Sequence, residues 1–124
     1  MTKVLFVTSE VYPLSKTGGL GDVAASLPTA LSRQGVDIRV LVPAYASSMR
    51  IAQEIGIKPL MTMTVNQQLV TLHETRLPGT RVKVWLMDVP AFSQREGNFY
   101  CGPDGHDWFD NAERYFLFCR VAEE

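Results

Sequence analysis

The chain has 124 residues, a formal net charge of −1 and 46% hydrophobic residues. That length suits one domain, spanning residues 1–124, and that apolar share predicts a buried core rather than disorder. With no basic excess to neutralise phosphates, nucleic acid is not an expected partner; no stretch approaches the ~20 apolar residues of a membrane span, so no membrane partner is expected either.

Two cysteines, Cys101 and Cys119, are too few for a disulfide framework and lack zinc-like spacing. The start "MTKVLFVTSE" has an apolar run too short for a signal peptide. A reduced, cytoplasmic protein is the expectation.

Lys3 to Ser9 carry Val4, Leu5, Phe6 and Val7 in a row, which predicts a strand covered on both faces. Gly19 to Gln34 follow, with Leu20, Val23, Ala24, Leu27 and Leu31 forming one helical stripe. Pro28 inside this segment predicts a kink or a restarted helix, and Gly35 predicts its stop. Asp37 to Pro43 read as a second buried strand, completing a βαβ unit with parallel strands. "SSMRIAQEI" predicts a short helix and "LMTMTV" a strand. "LVTLHETRL" and "RVKVWLMDV" flank "PGT", which predicts a hairpin. Pro90 to Asp110 read as a long loop, and a last helix is expected near Asp110, whose carboxylate would cap it. The final segment "NAERYFLFCRVAEE" ends without a glycine or proline exit, which suggests a chain cut inside a larger protein.

The stretch "SKTGGLGDVA" between the first strand and the first helix carries the candidate chemistry. Free amides at a helix start attract an anion, glycine permits close backbone approach, and Lys16 supplies a mobile charge. A tight turn with a capped helix, Asp22 lying favourably against the dipole, accounts for the same spacing equally well. A P-loop is excluded because Lys16 precedes the glycines instead of following them. Gly19, Gly21 and Ala24 satisfy GxGxxA, yet they lie well beyond the strand, and the second strand ends in "LVP" without the acidic residue that would hold a ribose. Asp104, His106, Asp107 and Asp110 have neither EF-hand nor zinc spacing, so no metal is expected. His73, within a strand, and Arg114, expected to pair with a nearby carboxylate, read as structural.

The run "KVLFVTSEVYPLSKTGGLGDVAASLPTALSRQGVDIRVLVPAY" resembles the amino terminus of the bacterial and plant glycogen/starch synthases that use ADP-glucose. Their KTGGL[AG]DV signature stands at Lys16 to Val23, preceded by Ser9, Glu10, Pro13 and Lys16 in S-E-x-x-P-x-x-K. "REGNFYCGPDGHDWFDNAERYFLF" resembles a second family block and supplies Tyr100, Asp107, Asp110, Asn111, Arg114 and Tyr115.

The resemblance implies an α/β fold: the Rossmann-like amino-terminal lobe of a GT-B glycosyltransferase, truncated, with the second lobe absent. It implies transfer of glucose from ADP-glucose to the non-reducing end of an α-1,4-glucan, with retention and without a cofactor. It implies that Lys16, Gly18 and Gly19 bind ADP-glucose, that Glu10 and Asp22 face the sugars, and that Tyr100 lies near the acceptor path. It further implies an arginine–lysine pair and a catalytic carboxylate in the second lobe, and a histidine beyond Glu124, so residues 1–124 alone are expected to be inactive. The alternatives are a non-catalytic nucleotide- or glucan-binding module and an NAD-linked oxidoreductase.

Overall fold

The computed structural model describes residues 2–94, 100 and 111–123. Five strands form one mixed sheet in the order β1-β2-β5-β4-β3. They are β1 (Lys3–Val7), β2 (Asp37–Pro43), β3 (Lys58–Val65), β4 (Gln68–Arg76) and β5 (Lys83–Asp88). The helices are α1 (Gly19–Arg33), α2 (Ala46–Ile55), the single turn α3 (Pro90–Ser93) and α4 (Asn111–Glu123).

The strands β1, β2 and β5 run parallel, with Val4 opposite Ile38 and Val40 opposite Val84. The antiparallel half is a meander. In β4–β5, Arg76 pairs with Lys83 across a turn that contains Gly79 at φ 73°, which is the hairpin expected from "PGT". In β3–β4, Val65 pairs with Gln68 around Asn66 and Gln67, both at positive φ. This two-residue turn was not expected, because its usual Asn-Gly signal is Asn-Gln here. β3 also begins two residues earlier than expected, at Lys58; Pro59 fits on this edge strand beside a register shift between Pro59 and Met61.

Alternation along the central strands sends apolar side chains to both faces. Val40, Val42, Val84 and Leu86 face a core shared with Ala24 of α1 and Ala52 of α2. Leu41, Leu72 and Met87 face a second core with Phe92, Leu117, Phe118 and Val121 of α3 and α4. The result is a helix–sheet–helix sandwich of the α/β class.

α1 runs through Pro28 as a single element. The Pro28 ring is buried, and the Thr29 hydroxyl donates to the Ala25 carbonyl at 2.7 Å. The stop at Gly35 is as expected: its φ is 89°, and its amide donates to the Ser32 carbonyl.

Two expectations about burial are corrected. The side buried by α1 is Gly21, Ala24 and Pro28, while Leu20, Val23 and Leu27 are 49%, 53% and 44% exposed. Small residues let the helix axis approach the sheet closely, and the larger apolar residues lie off that contact line. Likewise β1 is not covered on both faces: Val4, Leu5 and Val7 are exposed, since β1 is the outer parallel strand of this sheet. Exposed apolar side chains on α1, and an edge strand unpaired on one side among the described residues, favour association. The double variant Val23→Lys/Leu27→Lys is expected to reduce light scattering of the 124-residue chain. Its unfolding free energy should stay within about 0.5 kcal/mol per substitution, as for other surface changes.

Candidate functional site

The carboxyl ends of the parallel strands set the site. Thr8 extends the ladder past β1 by donating to the Leu41 carbonyl at 3.0 Å, and Ala44 does so past β2 by donating to the Met87 carbonyl at 2.9 Å. From there residues 8–18 loop over to the start of α1. The loop is tied down internally. Ser15 and Val11 exchange backbone and side-chain hydrogen bonds, the Ser48 hydroxyl donates to the Leu14 carbonyl at 2.8 Å, and the Tyr12 amide reaches the Gly21 carbonyl at 3.0 Å.

Glu10 is the centre of this loop. It is 2% exposed, and its carboxylate turns inward under the glycines. Oε1 accepts from the amides of Thr17 at 3.1 Å, Gly21 at 3.2 Å and Gly18 at 3.4 Å. Oε2 accepts from the Thr17 hydroxyl and the Tyr100 hydroxyl, both at 2.8 Å. Gly18 is the residue before α1 and has no side chain to cap the helix. The Glu10 carboxylate performs that task from outside the helix, and an anion there is favoured by the helix dipole. Burial opposes its ionisation, but the bonds from Thr17, Tyr100 and Gly18 outweigh burial and hold the carboxyl below its ordinary value.

This geometry differs from the expectation that Glu10 faces sugar hydroxyls, because its lone pairs are spent on the loop. Gly18 also directs its amide at Glu10 in this structure. The space beside the two adjacent glycines is open: a Cβ added at Gly18 or Gly19 meets no described atom within 4 Å. Gly21 is different. A Cβ there would lie 3.1 Å from both the Lys16 Cβ and the Ser15 carbonyl oxygen. The third glycine of the cluster therefore serves close packing of loop on helix. Gly21→Ala is expected to cost about 1–2 kcal/mol through overpacking, read as a lower urea midpoint, whereas Gly18→Ala changes it far less.

Lys16 stands on the outside of the loop. Its Nζ lies 3.0 Å from Asp22 Oδ2 and 5.8 Å from the centre of the Tyr12 ring. Asp22 sits in the first turn of α1 and borders an open groove of about 540 Å³ that Tyr12, Ser26, Thr29, Arg33 and Pro78 also line. The structure thus brings Lys16, Gly18, Gly19 and Asp22 to one outer surface, and Glu10 and Tyr100 beneath it.

The chain is matched over residues 3–124 by the family described as "Starch synthase catalytic domain". It belongs to that family. A glycogen synthase from Cellvibrio japonicus is 57% identical over 123 residues, covering 99% of this chain and 26% of the relative. One from Marinobacter nauticus is 50% identical, covering 98% of this chain and 25% of the relative. The catalytic domain of starch synthase IV from Arabidopsis thaliana, bound to ADP and acarbose, superposes with a TM-score of 0.70 at 22% identity, covering 98% of this chain and 24% of that one. The chain therefore spans about a quarter of the length of these starch-synthase-family relatives, and the structural likeness fixes the mixed α/β lobe.

Within this family frame, several features went unseen in the sequence. Tyr45 follows β2 and donates to the Ser9 carbonyl at 2.7 Å; its hydroxyl also lies 2.7 Å from that of Tyr115 on α4. Ser9 Oγ lies 2.8 Å from the Tyr100 hydroxyl. Burial pushes the Tyr100 phenol up to about 12, so it is a proton donor at neutral pH. Only hydroxyl-bearing residues at the ends of neighbouring strands hinted at this network, and sequence alone does not say which of them converge.

GxGxxA is likewise explained by packing: Gly21 abuts Lys16 and Ser15, and Ala24 is fully buried in the core. His73 is structural, its Nε2 lying 3.0 Å from Asp88 Oδ2 across the β4–β5 ladder. Arg114 donates to the Asn111 side-chain oxygen at 2.7 Å and lies 4.6 Å from the Phe92 ring centre and 5.5 Å from that of Tyr115. Cys119 is a free thiol. Asp104, His106, Asp107, Asp110 and Cys101 lie outside the described residues, as does the helix cap expected from Asp110. Among the described residues no helix is long and apolar enough to cross a membrane.

Proposed function

We propose that this chain is the amino-terminal part of a cytoplasmic glycosyltransferase that moves glucose from ADP-glucose to the non-reducing end of an α-1,4-glucan with retention. The observation that carries the reading is the outer surface of the loop, where an ammonium group and open glycine backbone lie together at the carboxyl end of parallel strands. The names of the relatives and the ADP and acarbose bound to starch synthase IV support the same reading.

The chemistry follows from charge. Breaking the bond between the anomeric carbon and the diphosphate leaves negative charge on departing ADP, and a positioned cation with helix-terminal amides stabilises it. The Lys16–Asp22 pair has side chains 43% and 55% exposed. Such a pair is worth about 0–1 kcal/mol, so Lys16 leaves Asp22 for a diphosphate at small cost. Asp22, released, becomes the sugar-facing carboxylate and accepts from glucose hydroxyls. Glu10 and Tyr100 sit beneath, committed to each other. The reaction so written takes ADP-glucose as substrate and calls on no cofactor.

The arginine–lysine pair, the catalytic carboxylate and the histidine that complete the reaction belong to further sequence, so residues 1–124 alone are expected not to elongate glucan. The test is calorimetric titration of the complete polypeptide with ADP-glucose, UDP-glucose and NAD, together with a glucan-elongation assay. Binding of ADP-glucose with elongation is expected. Binding of NAD in its place, or nucleotide binding with no elongation, overturns the reading.

A further inference from the structure

We infer that Glu10 and Tyr100 are positioning residues: a buried carboxylate, latched by a phenol from the far end of the chain, decides which amides of residues 16–21 remain open to a ligand. The inference rests on the reading of that loop as a nucleotide-sugar site.

Saturation is the first argument. Two backbone amides and a hydroxyl from Thr17 and Gly21, the Gly18 amide and the Tyr100 hydroxyl all converge on the two oxygens of Glu10. A carboxylate has about four lone-pair sites, so none is left for a sugar hydroxyl. Selectivity is the second. Glu10 takes the amides of Thr17, Gly18 and Gly21 and bypasses Gly19, whose amide has no hydrogen-bond partner among the described residues. The carboxylate thereby fixes the loop with Gly19 and Lys16 outward.

The latch is the third argument. Tyr100 donates to Glu10, so at Ser9 it accepts from Oγ. Its carbonyl accepts from the Asn111 side-chain amide at 2.8 Å, and Asn111 in turn accepts from Arg114. Tyr45 gives its proton to the Ser9 carbonyl, so the Tyr115 hydroxyl donates to Tyr45. The first turn and a half of α4, and Tyr45 just past β2, thus reach the loop through hydrogen bonds to Tyr100 and Ser9. Loosening the latch removes no ligand contact; it lets the loop sample other arrangements, and binding weakens through the ordering that the ligand must then impose.

The complete polypeptide is compared with Tyr100→Phe, which keeps the ring, and with Glu10→Gln. Amide hydrogen exchange at Thr17, Gly18 and Gly21 is measured without ligand, and KM for ADP-glucose, KM for glucan and kcat are measured separately. For Tyr100→Phe, loss of one charge-assisted hydrogen bond predicts exchange about tenfold faster at the three amides. KM for ADP-glucose is expected to rise about three- to tenfold, with KM for glucan unchanged and kcat within about twofold. Glu10→Gln should move the same quantities further; if it does not fold, Tyr100→Phe alone decides. Unchanged exchange at the three amides overturns the inference, and so does a rise confined to KM for glucan, which would make Tyr100 a sugar contact. If the wild type transfers no glucose, the functional reading falls, and the exchange measurement still decides whether the latch exists.

Discussion

Replacing Lys16 with alanine is expected to lower kcat/KM for ADP-glucose by about 10²–10³-fold while leaving the fold intact. That is the usual loss when one preorganised donor to a departing anion is removed. The two halves of the expectation come from one geometry. The ammonium group is held by a solvent-exposed pair with Asp22 at 3.0 Å and by a distant contact with the Tyr12 ring, neither of which contributes much to stability. Its charge nevertheless belongs to the same exposed loop as Gly18 and Gly19, beside which an added Cβ meets no described atom, and the proposed reading seats a diphosphate there. Lys16→Arg keeps the charge but replaces a compact ammonium by a wider, flat guanidinium, and an intermediate loss is expected. Steady-state kinetics with thermal melts of both variants check this. Equal kinetics for wild type and Lys16→Ala would remove Lys16 from the donor site.

Local chemistry explains what the sequence made legible. Apolar runs marked β1 and β2, a glycine at positive φ closed α1, and "PGT" joined β4 to β5, because each depends on neighbours in the chain. The burial of α1 was misread for a reason of the same kind. Periodicity identifies a helix with an apolar stripe, but close packing on the sheet selected the small residues Gly21, Ala24 and Pro28, a tertiary choice that periodicity does not encode. The outer half of the site, Lys16 with the glycines and Asp22, lies within eight residues of sequence and was visible there. The inner half was not. Glu10 is an acid beside a glycine loop, which in sequence fits a sugar ligand as well as a structural anchor. Its carboxylate is held by amides of the loop itself and by Tyr100, ninety positions away, whose hydroxyl also meets Ser9, and that long-range partner is not written in the local sequence.

Glu10→Ala is expected to be the most destabilising substitution in the loop, by about 3 kcal/mol, because several donors lose their acceptor at once and each unsatisfied buried donor costs ~1–3 kcal/mol. The Thr17, Gly18 and Gly21 amides are oriented by backbone that cannot turn away without unwinding the start of α1. Water entering from the open side replaces part of the loss, which is why the total falls below the sum. The carboxylate also sets a pH dependence. Its pKa in the folded protein lies below the ordinary value of 4.5, so the unfolded chain binds the proton more tightly. The stabilisation is complete above about pH 4.5 and is lost as pH falls from there toward the folded value. Wild type should therefore lose stability on acidification more steeply than Glu10→Ala, and the gap between the two should narrow as pH falls below about 4.5. Urea denaturation at stepped pH measures this. Parallel pH profiles for the two proteins would mean that Glu10 is not held as an ion beneath the loop, and with it the account of how residues 16–21 keep their shape would fail.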